Sequence, residues 1–306
     1  MSPLGSANGG SICPAGSDCR ERPWLESRKL SIGLFTVPID AVDLARRSRL
    51  SAVRMCASAK AAHVGSSLSV IDILAVLYAG VAKVGPDTVG HPERDVVIVS
   101  KGHAAAGLYA VLANAGFFPI DMLERYCKDG GPMGGHVTKG HVPGVELSTG
   151  SLGHGLPFGI GIAFGRRRKG LGGHIYVVMS DGELDEGSNW EAALVAAHHH
   201  LANVTVIVDR NGIQSLGPTE DTVRLEPLIA KWEAFGWDAF DVDGHDHRAL
   251  EEALRNPGAL ERPTVILART LKGKGVSFME SQILWHYRSP SGEALAEALA
   301  ELEAGD

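Results

Sequence analysis

Short apolar runs alternate along the chain with longer stretches in which apolar residues recur at helical spacing. The short runs predict strands at 95–99, 175–179, 204–208, 239–242 and 264–268. The longer stretches predict helices at 40–62, 70–81, 104–114, 156–164, 190–201, 226–235, 246–254 and 293–303. Ser69 precedes the second helix and is expected to cap it. Because helices connect successive strands, we predict an α/β fold of three layers, a parallel sheet with helices on both faces.

The head of the chain differs from the rest. Residues 1–37 carry Gly, Ser, Pro and charged residues without periodicity, so we expect a flexible N-terminal extension there. Residues 38–306 contain all the predicted elements and are expected to form one α/β domain.

Composition excludes several classes of function. The net charge of −7 gives no electrostatic basis for nucleic-acid binding. No apolar run reaches the roughly 20 residues of a membrane span, and the head lacks the pattern of a secretory signal. The cysteines at positions 13, 19, 56 and 127 have no metal-binding spacing, so we expect free thiols in the cytoplasm.

Two polar side chains follow neighbouring strands at the points where those strands end. Asp181 follows the strand at 175–179, and Asn211 follows the strand at 204–208, 30 positions later. The carboxyl ends of parallel strands meet at one edge of the sheet, where open α/β sheets bind ligands. Carboxylate and amide oxygens suit a hard divalent cation that also takes phosphate oxygens. The alternative is an ordinary βαβ unit with polar loop residues.

The segment 180–214 resembles the diphosphate-binding motif of thiamine diphosphate enzymes, although Ser180 stands where that family has glycine. Other segments resemble, in order and spacing, the N-terminal half of transketolases, closest to members made as two polypeptides: AHVG at 62–65, SKGH at 100–103, GH at 135–136, PGVELSTGSLG at 143–153 and KGKG at 272–275. The resemblance covers roughly residues 40–290 and implies the fold shared by thiamine diphosphate enzymes.

The resemblance implies roles for individual residues. Asp181, Asn211 and the carbonyl of Ile213 would bind Mg²⁺, with Ca²⁺ as an alternative. Residues implied to contact the cofactor are the three metal ligands and His103, Gly150, Ser151, Leu152, Gly182, Glu183 and Glu186. Two of these have an ordinary alternative, since Glu186 could be a solvated helix residue and Leu152 a core residue. Lys272 and Lys274 could approach a phosphate or be solvated.

Four histidines match those that line the family's substrate channel: His63, His103, His136 and His286. An imidazole can hydrogen-bond a sugar hydroxyl or move its proton near neutral pH. His286 departs from the family pattern because Tyr287 follows it instead of glycine, and His154 stands where glutamine is common. The triplet 198–200 is placed within a helix, where three adjacent positions cannot share one face, so we do not predict a metal site there.

The resemblance implies the cofactor-diphosphate subunit of a two-component transketolase, which moves a two-carbon ketol unit from a ketose or its phosphate to an aldose. Its partner would be a C-terminal subunit that binds the pyrimidine and supplies the activating glutamate, in an α2β2 heterotetramer. One alternative is another thiamine diphosphate-dependent C–C lyase or ligase, similar to deoxyxylulose-phosphate synthase or serving a specialised pathway. The other is a regulator that keeps the fold but not the chemistry.

Overall fold

The computed structural model describes residues 39–256, 258 and 261–305, so the predicted extension at 1–37 lies outside the described residues. Strands in the described part form one sheet in the order β1-β2-β3-β5-β4, and all neighbouring pairs are parallel. Their bounds are Val96–Val99 (β1), Ile175–Ser180 (β2), Val204–Arg210 (β3), Asp238–Asp243 (β4) and Thr264–Arg269 (β5). The predicted parallel α/β sheet is confirmed.

Helices cover both faces of this sheet. Their bounds are Ala41–Ala59 (α1), Val64–Val76 (α2), Ala105–Asn114 (α3), Gly155–Arg168 (α4), Gly187–His198 (α5), Leu228–Ala234 (α6), His247–Arg255 (α7) and Gly292–Ala304 (α8). Alternate strand side chains point into two separate apolar cores. One core contains α1, α2 and α3, and the other contains α4, α5 and α6, which gives the predicted three layers.

The register of the strands determines where the site lies. Ser180 at the end of β2 pairs with Asp209 near the end of β3, and Asp209 pairs with Ala268 in β5. The residues that follow these strands therefore emerge side by side at the carboxyl edge of the sheet, as the sequence predicts.

The predicted start of the second helix is wrong. Helix α2 begins at Val64, six positions before the predicted start at 70, and Ser69 lies inside it instead of capping it. The Ser69 hydroxyl is buried and lies 2.6 Å from Asp209 Oδ2 and 3.2 Å from the Ser66 carbonyl oxygen. A distant carboxylate thus satisfies this hydroxyl, and local sequence cannot reveal such a partner.

The same helical region is strongly apolar along its whole length. By length and composition alone, Val64–Val81 could cross a membrane, but 89% of this window is buried inside the fold. It is packed as a core helix, and it ends in a π-helical turn at Leu77–Val81.

The histidine triplet is also placed differently from the prediction. Helix α5 ends at His198, and the next two histidines form the turn that leads to β3, where His200 has a φ of 49°. The helical-face argument therefore does not apply to them.

Candidate active site

Asp181 and Asn211 line one cleft of about 160 Å³ at the carboxyl edge of the sheet. The Asp181 carboxylate is buried and accepts hydrogen bonds from the backbone N–H groups of Gly182 at 2.8 Å and Gly212 at 2.6 Å. Burial, aided by the neighbouring Asp209, raises the pKa of Asp181 to about 6 against the effect of these two hydrogen bonds. Backbone donors thus hold the carboxylate in place. Because burial disfavours its charged form, a positive charge beside it would stabilise it.

Ile213, the third predicted metal ligand, also lines this cleft. Its carbonyl oxygen accepts a hydrogen bond from Lys272 Nζ at 2.9 Å, while its N–H donates to Asn211 Oδ1 at 3.2 Å. Lys272 is buried, and burial together with the nearby Lys101 lowers its pKa to about 8, so it is mostly an ammonium at neutral pH. Lys272 therefore places a positive charge inside the cleft instead of being solvated.

The ligand set predicted here contains a single carboxylate. Within the described residues, no three His, Cys, Asp or Glu side chains are grouped to hold a metal ion. A cation at Asp181 and Asn211 would accordingly need oxygens from a bound phosphate to complete its shell.

Three of the four predicted histidines line the cleft beside the aspartate: His63, His103 and His286. The ring centroid of His63 lies 4.7 Å from that of His286 and 5.4 Å from that of His103. The backbone N–H of His63 also donates to the backbone carbonyl of His286 at 3.0 Å, and this bond holds two segments that are distant in sequence together. His136 is exposed, with its ring centroid 6.0 Å from that of His63, so the structure brings all four histidines into one group.

The histidines of the cleft are neutral at physiological pH. Burial is the main cause, and neighbouring histidines and lysines add to it, lowering the pKa of His63 to about 4 and that of His286 to about 3. The pKa of His103 is also well below its usual value for the same reasons. Among the described residues, no group hydrogen-bonds the buried Nδ1 atoms of His63 and His286, so the hydrogen-bonding capacity of these two atoms is not used within the protein.

His63 has a strained backbone. It precedes α2 with a φ of 70°, in the left-handed region that residues other than glycine rarely adopt. Such strain is found at functional sites, where surrounding contacts hold it. The hydrogen bond to His286 is one of those contacts.

Gly150 and Leu152 also line the cleft, whereas Ser151 is exposed. Their loop lies directly against the turn that carries His103, because Gly102 has no side chain. A Cβ atom at Gly102 would stand 2.3 Å from the carbonyl oxygen of Thr149. Glycine at position 102 therefore allows two backbone segments to lie against each other beside the cleft.

The two predicted glutamates differ in environment. Glu183 is fully buried and accepts hydrogen bonds from the N–H of Gly153 at 3.0 Å, the N–H of Ser180 at 3.3 Å and the Ser100 hydroxyl. Burial raises its pKa despite these bonds, and protein donors surround its carboxylate. Glu186 is exposed just before α5. Their contacts with a cofactor stay predictions.

His154 and Lys274 lie outside the cleft. His154 is exposed at the start of α4, with Nδ1 2.9 Å from the carbonyl oxygen of Leu152. Lys274 lies in a separate groove lined by residues of α1, α7 and α8.

The sequence analysis missed a buried ion pair beneath the cleft. Lys101 and Asp209 are both fully buried, and the Lys101 ammonium contacts the Asp209 carboxylate directly. Burial alone would raise the pKa of Asp209, but Lys101 and the hydroxyls of Ser69 and Thr270 outweigh it and hold that pKa below its usual value. A lysine in a glycine- and alanine-rich segment was the available signal. Gln214 and Ser215, which also line the cleft, carried no signal of their own.

These features define a class of protein: an α/β protein whose cleft, at the carboxyl edge of its sheet, combines a buried carboxylate, a lysine ammonium and neutral histidines and is suited to an anionic ligand. The family profile described as "Transketolase, thiamine diphosphate binding domain" matches residues 41–298. The chain belongs to this family, which confirms the resemblance found in the sequence.

Similar proteins include single subunits of transketolases. An apulose-4-phosphate transketolase subunit of Actinobacillus succinogenes is 44% identical over 241 residues, covering 79% of this chain and 87% of the relative. The 6-deoxy-6-sulfo-D-fructose transketolase subunit SqwG of Clostridium sp. (strain MSTE9) is 40% identical over 245 residues, covering 79% of this chain and 88% of the relative. The predicted similarity to members made as two polypeptides is thereby confirmed.

The solved transketolase of Leishmania mexicana has the same fold, with a TM-score of 0.81 and 28% sequence identity. The match covers 87% of this chain but 42% of that protein, so this chain corresponds to less than half of that transketolase. Human transketolase, 34% identical over 260 residues, is covered to a similar extent, 40% of its length.

Proposed function

We propose that this chain is the cofactor-diphosphate subunit of a two-component transketolase, a transferase that moves a two-carbon ketol unit from a ketose to an aldose. The observation that supports this most strongly is the convergence of Asp181, Asn211 and the Ile213 carbonyl in one cleft beside neutral histidines. Membership of the transketolase family and the names of its relatives support the same proposal.

The residues of the cleft fit thiamine diphosphate and Mg²⁺. Asp181, Asn211 and the Ile213 carbonyl would hold the metal, with Ca²⁺ able to use the same oxygen ligands. Gly182, whose N–H donates to Asp181 in this structure, and the ammonium of Lys272 line the cleft beside the position proposed for the diphosphate, whose negative charge matches a cleft that contains a buried cation. Thiamine diphosphate, when bound, would supply the carbon nucleophile for cleaving the ketose C–C bond.

The histidines of this chain would bind and orient the sugar. Because His63, His103 and His286 are neutral, each can donate from one ring nitrogen and accept at the other, which suits hydroxyl groups. His136, on the exposed side of the group, would contact the substrate as it enters.

Two further features belong to the proposal. A partner subunit would supply the pyrimidine-binding domain and the activating glutamate, in a cytoplasmic α2β2 heterotetramer. Two relatives are named for apulose 4-phosphate and 6-deoxy-6-sulfo-D-fructose. Since both sugars carry an acidic group, we propose a phosphorylated or sulfonated sugar as substrate for this chain.

The proposal is tested with purified chain and purified partner. The chain alone should turn over a ketose donor at a negligible rate, and addition of the partner should restore activity. Full activity of the isolated chain would contradict the split site.

Calorimetry with the partner present tests the metal ligands. Asp181→Ala should weaken Mg²⁺-dependent binding of thiamine diphosphate at least about 100-fold, because an anionic ligand is lost from a small shell. The matched control is Asp185→Ala, since Asp185 is exposed and bonds only Gln214 among the described residues. Unchanged binding by the Asp181 variant would mean that the metal lies elsewhere.

A further inference from the structure

The loop that carries Lys272 into the cleft is anchored from outside the cleft. Its first residue, Leu271, donates its backbone N–H to His245 Nε2 at 2.8 Å. Since an N–H group needs an acceptor, Nε2 carries no proton, and the proton of this imidazole is on Nδ1. His245 lies in the turn between β4 and α7, away from the residues that line the cleft.

The other side of the His245 ring is fixed by a buried carboxylate. Nδ1 donates to Asp72 Oδ2 at 2.6 Å, and Asp72 lies inside helix α2. Burial would raise the pKa of Asp72, but hydrogen bonds from His245 and His247 and the contact with Arg49 outweigh it and hold the pKa well below its usual range. Asp72 is therefore a permanent acceptor that fixes both the orientation and the tautomer of His245.

Helix α2 holds the Lys272 loop at a second point. The N–H of Gly273 donates to the carbonyl of Gly65 at 3.0 Å, and Gly65 belongs to the first turn of α2. The Lys272 side chain passes over Gly65, where a Cβ atom would stand 3.3 Å from Lys272 Cγ. The loop is thus anchored to helix α2 on both sides of Lys272, directly through Gly65 and indirectly through His245, which is bonded to Asp72.

We propose that Asp72 and His245 are a positioning pair that sets the Lys272 loop. In this position the ammonium group reaches the Ile213 carbonyl and the end of the cleft where an anion would bind. The identity of the anion as the diphosphate of thiamine diphosphate rests on the proposed function. The positioning itself is a property of the chain without cofactor.

His247 provides a matched comparison. It donates Nε2–H to Asp72 Oδ1 at 2.7 Å from the first residue of α7, with similar burial, but its side chain makes no hydrogen bond to the Lys272 loop among the described residues. A purely structural role of this carboxylate would make both histidines equally important. A positioning role makes only His245 important for Lys272.

Two substitutions of His245 separate its two contacts. His245→Asn places an amide where Nδ1 was, so it keeps a donor to Asp72 and loses the acceptor for Leu271. His245→Gln reaches the position of Nε2, so its carbonyl oxygen can still accept from Leu271. Hydrogen exchange of the Leu271 amide is measured in the chain alone, and thiamine diphosphate affinity is measured by calorimetry with Mg²⁺ and the partner subunit.

We expect His245→Asn to speed exchange at Leu271 and to weaken cofactor binding, each by roughly 3- to 10-fold, the range for one lost hydrogen bond. His245→Gln should recover part of both effects, because its carbonyl oxygen accepts from Leu271 but is no longer oriented by Asp72. His247→Asn, whose amide falls short of the Nε2 position and so loses the bond to Asp72, should lower the melting temperature about as much as His245→Asn while leaving exchange at Leu271 and cofactor affinity unchanged. Should His245→Asn not fold, His245→Ser, which removes both contacts, takes its place with the same expectations.

Equal effects of the His245 and His247 variants on cofactor affinity would overturn the proposal, as would unchanged exchange at Leu271 in His245→Asn. If the wild-type chain with its partner does not bind thiamine diphosphate, the proposed function fails instead. The exchange measurement then still decides whether His245 holds the Lys272 loop.

Discussion

Lys101→Met should destabilise the fold strongly, because it leaves the Asp209 carboxylate buried without its counter-ion. Both side chains are fully buried beneath the cleft, so solvent cannot replace the lost ammonium. The hydroxyls of Ser69 and Thr270 still hydrogen-bond the carboxylate, which limits the loss.

The size of the effect follows from known cases. Removing one partner of a buried pair costs about 3–5 kcal/mol, and the two remaining hydroxyl donors favour the lower end, about 3 kcal/mol. For a domain of this size each kcal/mol lowers the melting temperature by about 2–4 °C, so the expected decrease is roughly 6–12 °C. Lys169→Met, at the exposed end of α4, is the control and should change stability by less than about 0.5 kcal/mol.

The pH dependence identifies the carboxylate as the cause. In the wild-type fold the pKa of Asp209 is lowered, so its stabilising contribution is present above its unfolded pKa of about 4 and is lost as the pH falls through the lower folded value. Without Lys101, burial becomes the dominant influence and raises the folded pKa above about 4. The charged form then destabilises the variant, and the difference from wild type should be largest near pH 7 and shrink towards about pH 4.5.

Urea unfolding at the two pH values measures this difference, and a double variant tests the pairing. Asp209→Asn in the Lys101→Met background should cost less than the sum of the single changes by about 2 kcal/mol, because no buried charge remains unpaired. A loss under about 1 kcal/mol for Lys101→Met, a deficit independent of pH, or additive changes would each refute the reasoning.

Two further predictions concern the fold around the site. Gly102→Ala should destabilise the chain by more than about 2 kcal/mol, since the new Cβ would stand 2.3 Å from the Thr149 carbonyl oxygen. Gly165→Ala in α4 meets no atom within 4 Å and should instead stabilise by about 0.5–1 kcal/mol, so a thermal melt that ranked the two the other way would contradict the packing. Burial lowers the pKa of His174 to about 4, so protonation of the unfolded chain below about pH 6.5 favours unfolding. The wild-type chain should lose stability between about pH 7 and 4.5, and His174→Asn should make this loss smaller by about 2 kcal/mol, as measured by urea unfolding. An unchanged pH slope would count against the prediction.

The position of the cleft could be predicted because its determinants are local. Each strand is a run of apolar, mostly β-branched residues, and the polar residues just beyond its end emerge at the carboxyl edge. Parallel pairing then brings Asp181 and Asn211 together whatever the details of the loops. Strand bounds accordingly differ from the predicted ones by one or two residues.

The histidine group needed the family resemblance. His63, His103 and His286 are carried by three separate turns, and periodicity says nothing about how turns are placed relative to one another. Their convergence is visible only in the fold, where the His63 N–H bonds the carbonyl of His286.

The remaining features depend on partners far apart in sequence. A helix cap is the natural interpretation of Ser69, because serine usually finds its partner locally. Here its hydroxyl bonds Asp209, 140 positions away. Ser69 therefore lies inside the helix and does not cap it. The same carboxylate binds Lys101, 108 positions away, and no local pattern predicts that a lysine and an aspartate will be buried together.

The electrostatics of the cleft follow from one arrangement of buried groups. Asp209 compensates the buried charge of Lys101, and Lys272 lines the cleft itself. Both lysines, after burial, contribute to lowering the pKa of His63 and His286. The lysines that make the cleft attractive to an anion therefore also reinforce the effect of burial, which keeps the histidines neutral and able to accept as well as donate hydrogen bonds. The same buried cations thus attract the anion and help to keep the imidazoles that face the sugar neutral.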